Sequence, residues 1–306
     1  MPLKKLKENK ALFPGSSRAT RKERPVISRN YSGAASGVVS NSGLSLKVMT
    51  LNAAHGRKNG PHQFFQTTEE IILNLNEIAA FVGREQPHVL ALQEADGPSV
   101  WSGNFCHVEY LAQKSSYAFA IRGEHVRGMK VSYGTAILSS LEISDPLSVR
   151  FPPSLPLPSK GFTVCTVAWP GISNFQIDVC SVHLDCASKR VRRRQVEKLV
   201  ESMEERTRPL VVMGDFNCEW GAGDSSLRLL VKELGLSAYR PEASDLFTYP
   251  RFRRRLDWVF VSQGLEFSTY NVFRDVLSDH LGVITEITLD PKIMTENDLS
   301  VVERFL

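Results

Sequence analysis

Eight polar residues stand where strongly apolar segments end, and their types suit work on a phosphate. Segment 46–51 alternates and stops at Asn52. The wholly apolar run Val89-Leu90-Ala91-Leu92 leads into Gln93-Glu94, and segment 175–182 into His183. Leu210-Val211-Val212-Met213 is followed by Gly214-Asp215-Phe216-Asn217, Leu256 by Asp257, and Ser278-Asp279-His280 precedes the last apolar run. Singly these are weak signals: an Asp after Gly is ordinarily a turn residue, and a histidine beside a strand is ordinarily structural. Together they supply four carboxylates, two amides and two imidazoles. Strand ends at one rim of a sheet converge on a common site. Oxygen donors without a thiolate suit magnesium or manganese rather than zinc. Imidazoles beside them suit charge stabilisation or proton transfer at a phosphate.

These residues need a scaffold. Thr67 and Glu70 are spaced as a capping box. Behind them Ile71, Ile72, Leu75, Ile78, Ala79 and Val82 form a helical stripe that Pro87 stops. Segments 188–205 and 225–235 read as further helices, and a short helix is expected after Asp290. Segments 117–121, 135–138, 162–169, 175–182, 256–261, 267–273 and 283–289 read as strands, with Pro152, Pro153, Pro156 and Pro158 marking a loop. Strands outnumber helices, so the sheets are mixed. Two packed mixed β-sheets with helices on their outer faces accommodate the pattern. No Pro/Gly/Ser-rich linker divides residues 44–291, which read as one domain.

The chain has 306 residues, 42% hydrophobic and 23% charged, which excludes a wholly disordered chain and a coiled coil. No apolar run approaches the ~20 residues of a membrane helix. The net charge of +4 is uneven. Residues 1–43 hold nine Lys/Arg against two Glu, and the rest is slightly acidic, 28 basic against 31 acidic residues. The basic pI therefore comes from a segment read as a flexible arm, and it carries no nucleic-acid argument. Residues 292–306 read as a C-terminal tail. Met1 precedes several lysines but no apolar signal core, and five cysteines without a Cys-x-x-Cys pair suit reduced, mostly buried thiols. A cytoplasmic location is expected.

In order, Thr50-Leu51-Asn52, Leu92-Gln93-Glu94, Val182-His183-Leu184-Asp185, Gly214-Asp215-Phe216-Asn217, Leu256-Asp257-Trp258-Val259-Phe260 and Ser278-Asp279-His280 resemble the motifs of the endonuclease/exonuclease/phosphatase superfamily. The resemblance spans residue 47 to about residue 289. It implies a four-layer α/β sandwich like deoxyribonuclease I and a metal-dependent phosphodiester hydrolase. It also implies Glu94 as principal magnesium ligand, with Asn52 and Asp279 close by and manganese as an alternative ion. Asp215 would orient or deprotonate the attacking water, and Asn217 would place it. His280, held by Asp257, would contact the scissile phosphate, and His183 would donate to a non-bridging oxygen.

Substrate choice is less defined. A lipid headgroup, a small phosphoester and nucleic acid are all open as partners, and a non-catalytic binding module on the same fold is the alternative of another class. His55 and Arg57, just after Asn52, are candidate phosphate binders. So are Arg254 and Arg255 of the run Arg251-Phe252-Arg253-Arg254-Arg255, whose Phe252, with Tyr249, offers rings for stacking on bases. Arg194, on the basic helix after His183, echoes a family position that faces the site.

Overall fold

The computed structural model describes residues 21–23, 25–29, 45–60, 63–128, 130–221 and 223–290. The C-terminal tail, its expected helix and most of the N-terminal arm lie outside them. In chain order the elements are β1 (Arg21–Glu23), β2 (Val26–Arg29), β3 (Ser45–Asn52), α1 (Thr68–Glu85), β4 (Val89–Asp96), α2 (His107–Lys114), β5 (Phe119–Arg127), β6 (Ser132–Ser139), β7 (Ile143–Arg150), β8 (Gly161–Trp169), β9 (Ile172–His183), α3 (Lys189–Met203), β10 (Leu210–Asp215), α4 (Ser226–Leu234), β11 (Leu236–Ala238), β12 (Asp257–Ser262), β13 (Leu265–Val272) and β14 (Val283–Leu289). Among the described residues no helix is long and apolar enough to cross a membrane.

Two seven-stranded mixed sheets result, ordered β1-β7-β8-β9-β10-β12-β11 and β13-β14-β3-β4-β6-β5-β2. Each contains one parallel pair, β9/β10 and β3/β4, amid antiparallel neighbours. A parallel pair needs a crossover, and α3 and α1 provide them. α1 begins on the expected capping box, with both Thr67–Glu70 bonds made. α3 starts at Ser188, whose hydroxyl accepts from the Val191 amide.

Alternation along the strands divides the apolar residues among three interfaces. Met49, Leu51, Leu90 and Leu92 pack against α1 and α2. Leu46, Val48, Val89 and Ala91 meet Ile177, Val179, Val211, Met213 and Val259 between the sheets. Cys180, Val182, Val212 and Phe260 meet Val196 and Leu199 of α3 and Leu227 and Leu230 of α4. The order is helices, sheet, sheet, helices, the expected four-layer sandwich.

Strand β7 carries Pro146 and reads poorly as a strand from sequence; a register shift between Ser144 and Leu147 takes the proline out of the ladder. The reading of residues 1–43 as an arm without fixed structure does not hold for β1 and β2. They pair antiparallel with the outer strands β7 and β5. Edge pairing draws on backbone N–H and C=O groups, which any sequence supplies, so a Lys/Arg-rich segment joins a sheet edge without an apolar signature. Deleting residues 1–30 removes both outer strands but, among the described residues, little buried apolar surface, since Val26 and Ile27 are each 43% exposed. The expected loss in Tm is about 2–6 °C, on the order of 1–2 kcal/mol for a domain of this size. Calorimetry of the shortened chain checks this, and an unchanged Tm contradicts the pairing.

Candidate active site

The carboxyl ends of the two parallel pairs meet at one rim. In one sheet Asp215 lies beside His183 on β9 and beside Asp257 on β12. In the other, Asn52 lies beside Gln93, with Glu94 next in the chain. Asp279 and His280 immediately precede β14, which pairs with β3. Two backbone features aim these side chains. Glu94 has φ 48° at a register shift between Gln93 and Ala95, so the bulge turns its carboxylate out of the strand's alternation. Gly214 has φ 146°, and a Cβ there would lie 2.0 Å from the Val182 carbonyl oxygen. Only glycine lets β10 run that close to β9 just before Asp215.

Asp215 is buried and accepts from Asn52 Nδ2 at 3.0 Å, Asn217 Nδ2 at 3.1 Å and the Asn217 amide at 2.9 Å. Asn217 Nδ2 also donates to the Leu184 carbonyl, and His183 Nε2 lies 3.4 Å from Asp215 Oδ2. Nδ1 of His280 donates to Asp257 Oδ2 at 2.8 Å. Burial, with the Asp257 charge, pushes the Asp215 carboxyl up to about 7 against the pull of His280. Burial disfavours charge on His280 too, but the Asp257 and Asp215 carboxylates outweigh it and raise the imidazolium to about 10. Burial and the Lys160 ammonium hold His183 well below the usual histidine range. The rim thus offers a tunable carboxylate, a charged imidazole and a neutral one.

Glu94 lies beside this group. His55 Nε2 is 3.4 Å and Lys160 Nζ 3.8 Å from its carboxylate. Burial opposes ionisation of Glu94, but His55, Lys160, His183 and His280 together keep it well below the usual carboxylate range. Burial likewise disfavours charge on His55, and the Asp96 and Glu94 carboxylates outweigh it and raise its pKa. His55 Nδ1 is 2.7 Å from Asp96 Oδ1, and Arg57 Nη2 donates to Asp279 Oδ2 at 2.5 Å. His55, Arg57, Gln63, Glu94 and Trp101 line a cleft of about 390 Å³.

The structure therefore gathers Asn52, Glu94, His183, Asp215, Asn217, Asp257, Asp279 and His280, with His55 and Arg57. The other three candidate substrate binders make different contacts. Arg255 is buried; it donates to the Tyr239 and Arg240 carbonyls and the Tyr270 hydroxyl and stacks 3.8 Å over the Trp258 ring, so its guanidinium is committed to the fold. Arg254 is paired with Glu219 at 2.8 Å. Arg194 is exposed on α3, while the helix turns Arg192 inward, onto Asp224 and the Asp185 carbonyl. Sequence reasoning missed Lys160, Asp96, Gln63 and Trp101. Asp96 carried a signal, standing two positions after Glu94. Lys160 carried none, because it ends a proline-rich loop that reads only as a connector.

The endonuclease/exonuclease/phosphatase family profile matches residues 49–280. The chain belongs to this family. Members of the family are generally hydrolases of phosphoesters and generally use divalent metal ions. No curated protein matches the chain. Solved structures share the family fold at low identity. An endonuclease/exonuclease/phosphatase protein of Beutenbergia cavernae is 20% identical with TM-score 0.65, covering 84% of this chain and 76% of that one. The human Nocturnin catalytic domain with bound sulfate is 17% identical with TM-score 0.60, covering 81% and 94%. A mannosyl-6-phosphatase of Bacteroides thetaiotaomicron is 15% identical with TM-score 0.58, covering 80% and 100%.

The His280 environment has a direct consequence. Its folded pKa is raised, so the stabilisation it gives is fully present below the ordinary histidine pKa of about 6.5 and is lost as pH climbs through about 10. Ring ¹⁵N NMR is expected to find the imidazolium intact at pH 8. In Asp257→Asn the ring is expected to titrate in or below the ordinary histidine range. A neutral wild-type ring at pH 8 contradicts the assignment.

Proposed function

We propose that the chain is a magnesium-dependent phosphodiester hydrolase, with manganese as an alternative ion. The observation that carries this is the Asp215 carboxylate, buried, raised to about 7 and held by two asparagines opposite the charged His280–Asp257 pair. Such a carboxylate is poised to accept a proton near neutral pH, and a fixed imidazolium beside it meets developing phosphate charge. A purely structural site gains nothing from both.

The metal donors fit the proposed ion. Glu94, Asn52 and Asp279 offer only oxygen, and magnesium takes few protein ligands and keeps its waters. The ligand atoms of Asp215, Asp257 and His280 lie within 4.8 Å of one another, yet His280 and Asp257 are already hydrogen-bonded. We therefore assign that trio to proton transfer and Glu94 to the ion. When bound, the ion supplies Lewis-acid polarisation of the phosphate.

Asp215 accepts the proton of the attacking water. Asn52 and Asn217 fix the carboxylate's direction, so the water is held in line with the phosphorus. His280 donates from Nε2 to a phosphate oxygen while Asp257 fixes its tautomer and charge. His183 stays neutral and donates a second hydrogen bond. Lys160, with Arg57 and His55, makes the cleft favourable to an anion. The water oxygen bonds to phosphorus as the bond to the leaving oxygen breaks; that oxygen takes up the proton which Asp215 then releases, directly or through solvent, and the products are a monoester and an alcohol.

The test is hydrolysis of bis(p-nitrophenyl) phosphate in saturating magnesium. Glu94→Gln keeps shape and removes charge, and a loss of roughly 10²-fold or more is expected. Near-wild-type turnover of that variant removes the metal assignment, and an inactive wild type favours a binding module. kcat/KM is expected to rise with pH as Asp215 ionises, at or below about 7, and to fall as His280 loses its proton near about 10.

The pairing of His280 with Asp257 is tested by a double-mutant cycle. His280→Ala should cost on the order of 10²-fold, and Asp257→Asn less. Asp257→Asn added to His280→Ala should cost little more, since residues acting as a unit are non-additive. Additive losses would show independent roles.

A further inference from the structure

The basic run before Asp257 is not uniform. Arg255 is an internal strut and Arg254 is paired with Glu219. Arg251 and Arg253 are exposed, and among the described residues neither has a carboxylate within ion-pair distance. Arg253 instead lies 4.7 Å over the ring of Phe247. A third guanidinium, Arg274, comes from a distant segment and lies 4.6 Å from the same ring. Two like charges thus stand over one half-buried aromatic ring, and among the described residues neither is paired with a carboxylate.

The position of this cluster gives it meaning. The Leu281 amide donates to the Thr248 carbonyl at 2.7 Å, and the Phe273 amide donates to the Gly282 carbonyl at 3.2 Å. The segments bearing Phe247 and Arg274 are thus both tied to the two residues after His280. The Tyr249 ring lies 5.0 Å from the His280 ring and 5.9 Å from that of Phe252. Phe252 is 63% exposed, with Arg251 5.4 Å from its ring. Ring contacts therefore run from His280 through Tyr249 and Phe252 to Arg251 at the surface, and the Phe247 cluster stands on the same two segments.

We infer that Phe247, Arg253 and Arg274, with Arg251 and Phe252 at the outer end, form a binding track for single-stranded nucleic acid leading away from the cleft. This rests on the phosphodiesterase reading and names its substrate class. Guanidiniums fix successive phosphates, and exposed rings stack on unpaired bases irrespective of sequence. The remainder of the domain is slightly acidic, so these three arginines are a local feature and not general surface charge.

The experiment measures fluorescence anisotropy of a labelled short oligothymidylate with the full chain in EDTA, where no turnover is needed. Failure of this binding and failure of hydrolysis are therefore separate results. Wild type is expected to bind with a Kd of about 10⁻⁴–10⁻⁶ M. Replacing Arg251, Arg253 and Arg274 together by Ala should weaken binding at least tenfold and lower the slope of log K against log salt by about 2, near 0.7 for each phosphate no longer neutralised. The triple Lys variant keeps the charge and should keep the slope, so a fold defect is told from a charge effect. Phe252→Ala should weaken binding by about 5-fold or more with the slope unchanged, as removal of a base-stacking ring does. No wild-type binding, or binding indifferent to the three arginines, overturns the inference. So does arginine-dependent sedimentation with phosphatidylserine vesicles in place of oligonucleotide binding.

Discussion

The hydrogen bond from Asn52 to Asp215 joins the two sheets at the candidate site. Asn52 ends a strand of one sheet and Asp215 a strand of the other, so neither sheet contains the site. The His280–Asp257 bond crosses the same gap, from the segment before β14 to the start of β12. Packed sheets stand about 10 Å apart, a distance that two polar side chains span only when the strands that carry them end opposite each other. The register of both sheets therefore sets the site. A one-residue slip in β10 or β3 would turn Asp215 or Asn52 away from the gap and place an apolar neighbour there.

The inter-sheet face shows how the molecule tolerates this. Along β3 the inward residues are Leu46 and Val48, then Thr50; along β4 they are Val89 and Ala91, then Gln93. Along β9 they are Ile177 and Val179, then Ser181; along β10 they are Val211 and Met213, then Asp215. Each row turns from apolar to polar as it approaches the rim. Part of the polar end is bonded internally: Gln93 donates to Ser181 and Thr50, and Thr135 is bonded to Thr163, while His125 Nδ1, Ser148 Oγ and Asp257 Oδ1 are buried without a partner. These bonds stiffen the site, and each buried group left unpaired there costs about 1–3 kcal/mol. The apolar ends of the same rows hold the sheets together. Site and core are consecutive stretches of the same strands.

This explains what the sequence made legible. The strand-end residues are apparent because a period-two apolar pattern runs straight into a carboxylate, amide or imidazole, and both the pattern and its interruption are local. The four-layer order followed from the alternation and the scarcity of helices. Lys160 was not legible, because a loop residue reaches the site through the path of the loop, which no periodicity encodes. Nor were β1 and β2, whose pairing uses the backbone. Arg255 was misjudged for a related reason. A charged side chain one position before a strand points to solvent or to the interior according to the local twist, and its neighbours Tyr239, Trp258 and Tyr270 come from three separate segments.

The division between strand ends and loops also separates reaction from substrate. The groups assigned to the proposed reaction come from strand ends whose positions the core dictates, and structures of 15–20% identity share that fold. The groups around them come from the segments after β3 and β4, before β8 and before β12, whose lengths the core does not fix. Loops vary more freely than the elements they connect, and binding specificity accumulates there. A fold match at this level therefore constrains what is done to a phosphate and leaves open which molecule carries it. In this chain the loop before β12 contains both kinds of arginine within a few residues, Arg255 locked under the sheet edge and Arg253 open beside Phe247. The buried residue gives the loop a fixed seat, and the open one can be precise only because that seat is fixed.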